Sequence, residues 1–214
     1  MKHYSNYSYK LVAGLLFLII QGCASTPPPP LTQQQPLNWQ TTVDHIQSIE
    51  NWEFTGKIGV RIPERIDSAV INRWQQHGDQ FTIDLSSAIF GLGATRIEGS
   101  PSKVTITESG EEPITSFQPE HLINQHVGWP LPITQLRYWI KGIPAPSVYP
   151  IDKVEDLQFN NKEQLSQFHQ SGWKIHYPRY TQLNTQQKTN LPGKIVLQQQ
   201  QVKITVIVNE WLLP

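Results

Sequence analysis

Phe54-Thr-Gly-Lys-Ile-Gly-Val-Arg-Ile62 places an apolar residue or a glycine at every second position, with mostly polar residues between them. Because successive side chains of a strand point to opposite faces, this period of two predicts a strand with one buried face. The same period recurs in residues 81–85, 104–106, 173–177 and 202–208. Short turn signals such as His77-Gly-Asp79 separate these segments. Strands at a spacing of about ten residues are typical of an antiparallel meander, and hence of a sandwich or a curved, barrel-like sheet.

Three segments do not follow this period and predict helices. The first follows Trp39, the second lies between Pro119 and Gly128, and the third between Pro132 and Gly142. Proline suits the first helical position, and glycine suits the residue that ends a helix. We expect Lys141 to complement the carboxyl end of the third helix. The apolar residues at helical spacing are Val43, Ile46 and Ile49 in the first helix, and Ile133, Leu136 and Ile140 in the third. The prediction is one mainly β domain, 37–214, with an open curved sheet and helices over its concave side.

The composition excludes several classes of protein. Lys plus Arg and Asp plus Glu both number 17, so the formal net charge is zero. Nucleic-acid binders normally have a basic excess or a basic stripe, and this chain has neither. Seven Trp, seven Tyr and seven Phe residues indicate a packed protein and exclude a disordered polyelectrolyte. The single cysteine excludes an internal disulfide and a multi-cysteine metal site.

That cysteine, Cys23, follows a targeting segment. Residues 1–22 contain two lysines, then ten apolar residues at 11–20, and end with Gly22. Ten residues span only about 15 Å as a helix, about half the hydrocarbon layer, so they predict a secretory signal and not a membrane anchor. The cysteine directly after Gly22 makes the segment resemble a bacterial lipoprotein signal, in which the cysteine becomes the acylated first residue. An ordinary secretory signal with an incidental cysteine is the alternative.

Residues 23–36 are rich in proline and glutamine and predict an extended tether. The residue after Cys23 is Ala24 and not aspartate. In Gram-negative lipoproteins an aspartate there favours retention in the inner membrane. The resemblance therefore implies a lipid-anchored protein on the periplasmic face of the outer membrane.

No motif for catalysis is present. The chain contains no G-x-S-x-G, no H-E-x-x-H, no P-loop and no G-x-G-x-x-G. His121 and His126 are five residues apart, which places them about 140° apart around a helix and makes a shared metal unfavourable. Glu111 and Glu112 fall in a predicted hairpin turn. We therefore expect no enzyme, no metal and no cofactor, with a lipid-processing hydrolase as the least favoured alternative.

The apolar residues of the predicted strands and of the third helix support two interpretations. A concave lining of aromatic and aliphatic side chains suits acyl chains, whereas the same side chains also form an ordinary filled core. The candidate acyl-chain cavity comprises Trp74, Leu136, Trp139, Ile140, Trp173 and Trp211.

Several stretches resemble the LolB family of outer-membrane lipoproteins. The most distinctive is Gly128-Trp-Pro-Leu-Pro-Ile133, followed by Leu136-Arg-Tyr-Trp-Ile-Lys-Gly-Ile-Pro144. Further matches are Phe54-Thr-Gly-Lys-Ile-Gly-Val60, Trp74-Gln-Gln76 and Asn209-Glu-Trp211. The resemblance implies an incomplete antiparallel barrel of about eleven strands, with helices over the open side of an apolar cavity. It also implies a partner, the periplasmic carrier LolA, and a function in which lipoproteins are accepted from LolA and inserted into the outer membrane. We expect a monomer, and a scaffold lipoprotein with a filled core is the alternative.

The loop after residue 87 has a particular composition. Two large apolar residues, Ile89 and Phe90, occur with Gly91, Leu92 and Gly93 where a turn is due. The stretch resembles the family's loop, in which Pro-Leu-Gly is usual, with Ile89 in place of the proline and Phe90 in place of the leucine. We expect an exposed tip that enters outer-membrane lipid. The alternative is that Phe90 folds back into the core.

Overall fold

The computed structural model describes residues 30–87, 93–147, 150–183 and 189–214. In these residues eleven strands form one sheet in the order β6-β5-β4-β3-β2-β1-β11-β10-β9-β8-β7, and every neighbouring pair is antiparallel. The strands are β1 (Asn51–Ile62), β2 (Arg65–His77), β3 (Gln80–Ser87), β4 (Gly93–Ser100), β5 (Lys103–Glu108), β6 (Ile114–Ser116), β7 (Glu155–Phe159), β8 (Leu165–Gln170), β9 (Trp173–Gln182), β10 (Asn190–Gln199) and β11 (Val202–Leu212). The sheet is open, with β6 and β7 at its edges. The predicted mainly β fold of eleven strands is confirmed.

The sheet consists of two meanders that meet at β1. Strands β1–β6 follow one another on one side, and β7–β11 on the other, so that β11 returns to pair with β1. Burial alternates along β1 as its period of two predicted, and Trp52, Phe54, Ile58 and Val60 are buried. A register shift at Gly56 brings the chain so close to β11 that a Cβ atom there would lie 2.2 Å from the Ile207 carbonyl oxygen. Only glycine fits at this bulge.

Three helices accompany the sheet in the described residues, together with a short 3₁₀ turn at Pro150–Asp152. They are α1 (Trp39–Gln47), α2 (Pro119–Val127) and α3 (Ile133–Trp139). As predicted, Pro119 occupies the first turn of α2, and Gly128 ends the helix with a left-handed φ of 75°. The third helix is shorter than predicted, because Ile140 is its cap residue and Gly142 lies beyond it.

Each helix contacts a different part of the sheet. The Trp39 ring of α1 lies 5.1 Å from the ring of Phe159 on β7. In α2, Nδ1 of His126 lies 3.1 Å from a carboxylate oxygen of Glu108 on β5. In α3, the Trp139 ring lies 6.4 Å from the ring of Phe168 on β8. The helices thus pack on strands from both sides of the opening between β6 and β7, and the predicted helical cover is confirmed.

The described end of the predicted tether also contacts the sheet. Thr32 and Phe159 exchange two backbone hydrogen bonds, of 3.0 and 2.8 Å, in an isolated antiparallel bridge. Strand β7 therefore has a partner on its outer edge at this residue, in keeping with the tendency of proteins to cover exposed strand edges. Within the described residues no helix is long and apolar enough to cross a membrane.

Candidate functional site

All six residues of the candidate acyl-chain cavity are buried in the same hydrophobic core, with exposures from 0% to 8%. Trp74 lies on β2, Trp211 on β11 and Trp173 at the start of β9. Leu136 and Trp139 lie on α3, and Ile140 caps it. These side chains are packed together in the interior under α3. Their role as the lining of an acyl-chain cavity stays a prediction.

An aromatic cluster forms where β2, β1 and β11 lie side by side, and we define it as Trp52, Phe54, Trp74 and Trp211. The register places Phe54 opposite both Trp74 and Trp211. Ring centroids lie 5.4 Å apart for Phe54 and Trp74, and 5.1 Å apart for Phe54 and Trp211. Such distances are typical of favourable aromatic pairs. Sequence reasoning did not include Trp52 and Phe54 in the candidate site, although their spacing of two residues on β1 puts both on the buried face.

A buried glutamine, Gln170 on β8, fixes α3 and the segment that follows it. Its side-chain oxygen accepts hydrogen bonds from the Trp139 indole at 2.8 Å and from the Ala145 backbone N–H at 2.9 Å. Its side-chain nitrogen donates to the carbonyl oxygens of Ala145 at 2.7 Å and Asp152 at 2.8 Å. Four hydrogen bonds thus satisfy an amide that is only 1% exposed. Nothing in the sequence pattern pointed to this residue.

A second directional contact holds the end of α3. The Tyr177 hydroxyl on β9 donates to the Trp139 carbonyl oxygen at 2.9 Å. Burial raises the pKa of Tyr177, so the hydroxyl keeps its proton and remains a donor. The last turn of α3 is therefore fixed to β8 and β9 through both the side chain and the backbone of Trp139.

Lys141 joins α3 to α1. Its ammonium group donates to the carbonyl oxygens of Ile46 at 3.0 Å and Ile49 at 2.9 Å, at the carboxyl end of α1. The expectation that Lys141 complements its own helix is wrong, because the side chain satisfies terminal carbonyls of a helix more than ninety positions earlier. Burial, with a smaller contribution from the Arg137 charge, lowers the pKa of Lys141 to about 8.

A cavity of about 280 Å³ opens beside this contact. We name it the α1–α3 cavity, and it is lined by Gln47, Ile49, Glu50, Trp52, Gln76, Gly78, Asp79, Arg137, Tyr138 and Lys141. Arg137 forms an ion pair with Asp79, and its guanidinium carbon lies 4.7 Å from the centre of the Tyr138 ring. Four of the lining residues are charged, and one, Trp52, belongs to the aromatic cluster.

Two further cavities lie near the turn between β8 and β9. One of about 380 Å³ is bounded by α2, the α2–α3 loop and Trp173. The other, of about 480 Å³, is bounded by the 3₁₀ turn, β7 and the Gln170–Gly172 region. Of the six candidate residues, Trp173 lines the first of these, and Trp74, Leu136, Trp139, Ile140 and Trp211 line none of the three cavities.

The groups considered for metal binding or catalysis are separated in the structure. His121 is exposed on α2, and His126 faces Glu108. Glu111 and Glu112 are exposed between β5 and β6. Among the described residues, no group of three or more His, Cys, Asp or Glu side chains is placed to hold a metal ion.

Two predicted sites lie outside the described residues. They are the lipidation site Cys23 and the membrane-insertion loop formed by Ile89, Phe90, Gly91 and Leu92. The described residues nearest to the loop, Ser87 and Gly93, pair with each other at the ends of β3 and β4.

Comparison with known proteins identifies relatives along most of the chain. Residues 50–211 match the family model described as outer membrane lipoprotein LolB. An outer-membrane lipoprotein LolB of Cellvibrio japonicus is 33% identical over 213 residues, covering 96% of this chain and 98% of the relative. One of Chromohalobacter salexigens is 35% identical over 199 residues, covering 93% and 88%. These relatives are named as lipoproteins and not as enzymes.

Solved structures are similar in fold. A DUF1329 family protein from Desulfovibrio piger superimposes with a TM-score of 0.51 at 6% sequence identity, over 84% of this chain and 94% of that chain. At this identity the similarity concerns the fold alone.

Proposed function

Because the chain belongs to the LolB family of outer-membrane lipoproteins, we propose that it accepts lipoproteins from the periplasmic carrier LolA and inserts them into the outer membrane. The observation that carries this proposal is the apolar interior between an open sheet and α3. Its aromatic and aliphatic side chains are those that acyl chains require.

Acyl chains enter this interior as α3 and the segment after it move away from the sheet. In the structure the protein's own side chains are buried in this interior, and α3 is held over them by Gln170, Tyr177 and Lys141. A small number of hydrogen bonds, each contributing about 1 kcal/mol, is a modest barrier to such a movement. The aromatic cluster and the apolar face of α3 then supply contacts for the chains.

The energetics require transfer from one apolar site to the next. Each buried CH₂ group contributes about 0.8 kcal/mol, so two or three long acyl chains resist release into water by tens of kcal/mol. The sequence contains no P-loop that would couple transfer to a nucleotide. The chains therefore pass from carrier to receptor and from receptor to bilayer, each step being driven by a more favourable apolar environment.

The insertion step involves the loop between β3 and β4. Since strands reverse direction at alternate ends of an antiparallel sheet, Ser87 and Gly93 lie at the end opposite Gly78 and Asp79. Phe90 contacts the lipid layer in this proposal, where burial of a ring contributes about 1.5–3 kcal/mol. Phe90→Glu should fold and accept cargo from the carrier, yet leave the cargo uninserted in a liposome assay. Normal insertion would show that Phe90 isn't the residue that enters lipid.

The anchor is acylated Cys23, and the part of the chain from residue 31 onward carries the receptor function. Mass spectrometry of the mature N-terminus should find an acylated cysteine. An unmodified cysteine would contradict the anchor.

A transfer assay tests the whole proposal. A Cys23→Ala variant secreted through a non-lipoprotein signal should be soluble and should take a lipoprotein from its complex with the carrier. A non-acylated form of the same cargo is the control and should stay with the carrier or in solution. Failure of the acylated cargo to transfer would contradict the proposal.

The burial of all six candidate residues also favours a second candidate, a scaffold lipoprotein whose core admits no ligand. Both candidates have the same anchor and fold, and they differ in whether the interior opens. An apolar fluorescent probe should bind to the receptor and give no signal with the scaffold.

A further inference from the structure

The indole N–H of Trp74 is buried without a hydrogen-bond partner. Trp74 is 2% exposed, and its Nε1 atom forms no hydrogen bond within the described residues. A buried donor that is left unpaired lowers stability relative to an apolar group of the same shape. Such groups are uncommon in folded proteins, so this one requires an explanation.

Two other indoles in the same core, those of Trp211 and Trp139, have acceptors. Nε1 of Trp211, in the same aromatic cluster, donates to the Pro192 carbonyl oxygen at 3.0 Å, and Nε1 of Trp139 donates to Gln170 at 2.8 Å. The rings beside Trp74 do not replace an acceptor, because Phe54 and Trp52 are tilted by 36° and 46° to it and neither pair is T-shaped. The N–H of Trp74 is thus a donor whose acceptor isn't part of the described protein.

Trp74 is a near neighbour of two residues that line the α1–α3 cavity. These residues, Trp52 and Gln76, pair with each other across β1 and β2. Two residues further along the same face, Phe54 pairs with Trp74. The side-chain nitrogen of Gln76 is already engaged, because it donates to the Gly78 carbonyl oxygen at 2.8 Å. A ligand that displaces the Trp52 ring from this cavity therefore reaches the aromatic cluster, in which the Trp74 N–H is buried without a partner among the described residues.

We propose that the Trp74 N–H binds the carbonyl oxygen of an ester-linked acyl group, whose chain enters through the α1–α3 cavity and packs against the aromatic cluster. This inference rests on the proposed function and specifies which part of the lipid is recognised. An ester carbonyl is a good acceptor that can accompany an acyl chain into an apolar site, whereas an alkyl ether offers no carbonyl oxygen. The site consequently distinguishes acylated lipids from ether lipids of equal chain length.

The experiment measures the binding of two lipids to the soluble Cys23→Ala protein, by displacement of an apolar fluorescent probe. The lipids are a diacylglycerol and a dialkylglycerol of the same chain length. The protein should bind the diacylglycerol about 3- to 10-fold more tightly, which is the contribution expected of one neutral hydrogen bond. Trp74→Phe should lower the affinity for the diacylglycerol to that for the dialkylglycerol.

Two variants serve as matched controls, since both remove an indole N–H elsewhere in the core. Trp211→Phe removes a donor that is already bonded to Pro192. Trp129→Phe removes a donor that is also unpaired among the described residues but belongs to the α2–α3 loop and not to the aromatic cluster. Both should keep the wild-type ratio of ester to ether affinity; because Trp211 belongs to the aromatic cluster, Trp211→Phe is compared by this ratio alone and not by its absolute affinity. Should Trp74→Phe fail to fold, 3-benzothienylalanine at position 74 keeps the ring size, replaces the N–H by sulfur, and should abolish the preference.

The outcomes separate the inference from the proposed function. Equal affinity of the wild-type protein for the two lipids, or a preference that survives removal of the N–H at position 74, would overturn the inference and leave the proposed function in place. Binding of neither lipid would contradict the proposed function, and the inference with it.

Discussion

Two buried tryptophans, Trp74 on β2 and Trp139 on α3, are held in opposite ways. The indole N–H of Trp139 donates to Gln170, and the backbone carbonyl oxygen of Trp139 accepts from the Tyr177 hydroxyl. Trp74 is held by ring contacts with Phe54 and Trp52, and its N–H has no partner in the described residues. Hydrogen bonds are directional and fix one geometry, whereas apolar ring contacts allow several arrangements. The position of α3 is thus defined by directional bonds, whereas the proposed function requires the aromatic cluster to rearrange around an acyl chain.

The largest effect on stability is expected from Gln170→Leu, which removes the hydrogen bonds that hold Trp139 and the segment after α3. Leucine leaves the Trp139 indole and both backbone groups of Ala145 without their buried partner. Each unpaired group costs about 1–3 kcal/mol, so the free energy of unfolding should fall by roughly 3–5 kcal/mol. Gln167→Leu, at a half-buried position on the same strand, should change it by about 0.5 kcal/mol. Denaturant unfolding of both variants measures these changes. Similar losses of stability in Gln170→Leu and Gln167→Leu would contradict the role of Gln170.

Leu136→Ala tests whether the closed position of α3 competes with ligand. Leu136 is fully buried, so truncation should cost about 2–5 kcal/mol of stability. The variant should also bind an apolar probe more tightly, because the closed form is weakened relative to the open one. Ile175→Ala, on β9, should lose comparable stability with unchanged probe affinity. If probe affinity is equally unchanged in Leu136→Ala, α3 is part of a permanent core.

Lys141 makes the contact between α1 and α3 dependent on pH. Its pKa is about 8 in the folded protein and about 10.5 when unfolded, so between these values the unfolded chain binds more protons. Stability should therefore rise as the pH increases from about 8 to 10.5, by up to roughly 3 kcal/mol, relative to a protein without this group. Lys141→Met supplies that reference in thermal or denaturant unfolding. If the difference in free energy of unfolding between the wild-type protein and Lys141→Met does not depend on pH, the ammonium group is not desolvated.

The smallest effect is expected at the rim of the α1–α3 cavity. Asp79 is paired with Arg137, but its side chain is 72% exposed. Asp79→Asn should lower stability by at most about 1 kcal/mol, and salt should reduce the difference. Unfolding at low and high ionic strength measures it. A larger loss that salt doesn't reduce would mean that this pair, like Gln170, fixes the position of α3.

The sequence predicted the elements more completely than the contacts between them. Strand β1 follows from its period of two, and α2 from Pro119 and Gly128, because these signals depend on neighbouring residues. The partners of Lys141 and Gln170 do not follow from any local pattern, since their hydrogen bonds join residues 92 and 31 positions apart. Lys141 was assigned to the wrong helix for this reason. The pairing of Thr32 with Phe159 was missed likewise, because a proline-rich segment carries no strand pattern.

In the candidate site, too, the sequence predicted which residues are buried but not the hydrogen bonds that they form. Trp74, Trp211 and the residues of α3 were identified from aromatic content and helical spacing, and all are buried together. The unpaired N–H of Trp74 was not predictable, because it depends on where acceptors lie on β1, β2 and β11. Whether a buried tryptophan is satisfied is decided by tertiary packing and not by residue type.

Photo-crosslinking from β1 tests most directly whether the interior receives acyl chains. Position 54 faces the aromatic cluster, and Lys57 lies on the opposite, exposed face of the same strand. A benzophenone amino acid at each position would be irradiated with a radiolabelled lipoprotein delivered by the carrier LolA. We predict a crosslink to the acylated cargo from position 54, none from position 57, and none from position 54 when the cargo lacks its acyl chains. Equal labelling from the two positions, or no labelling from position 54, would contradict the account.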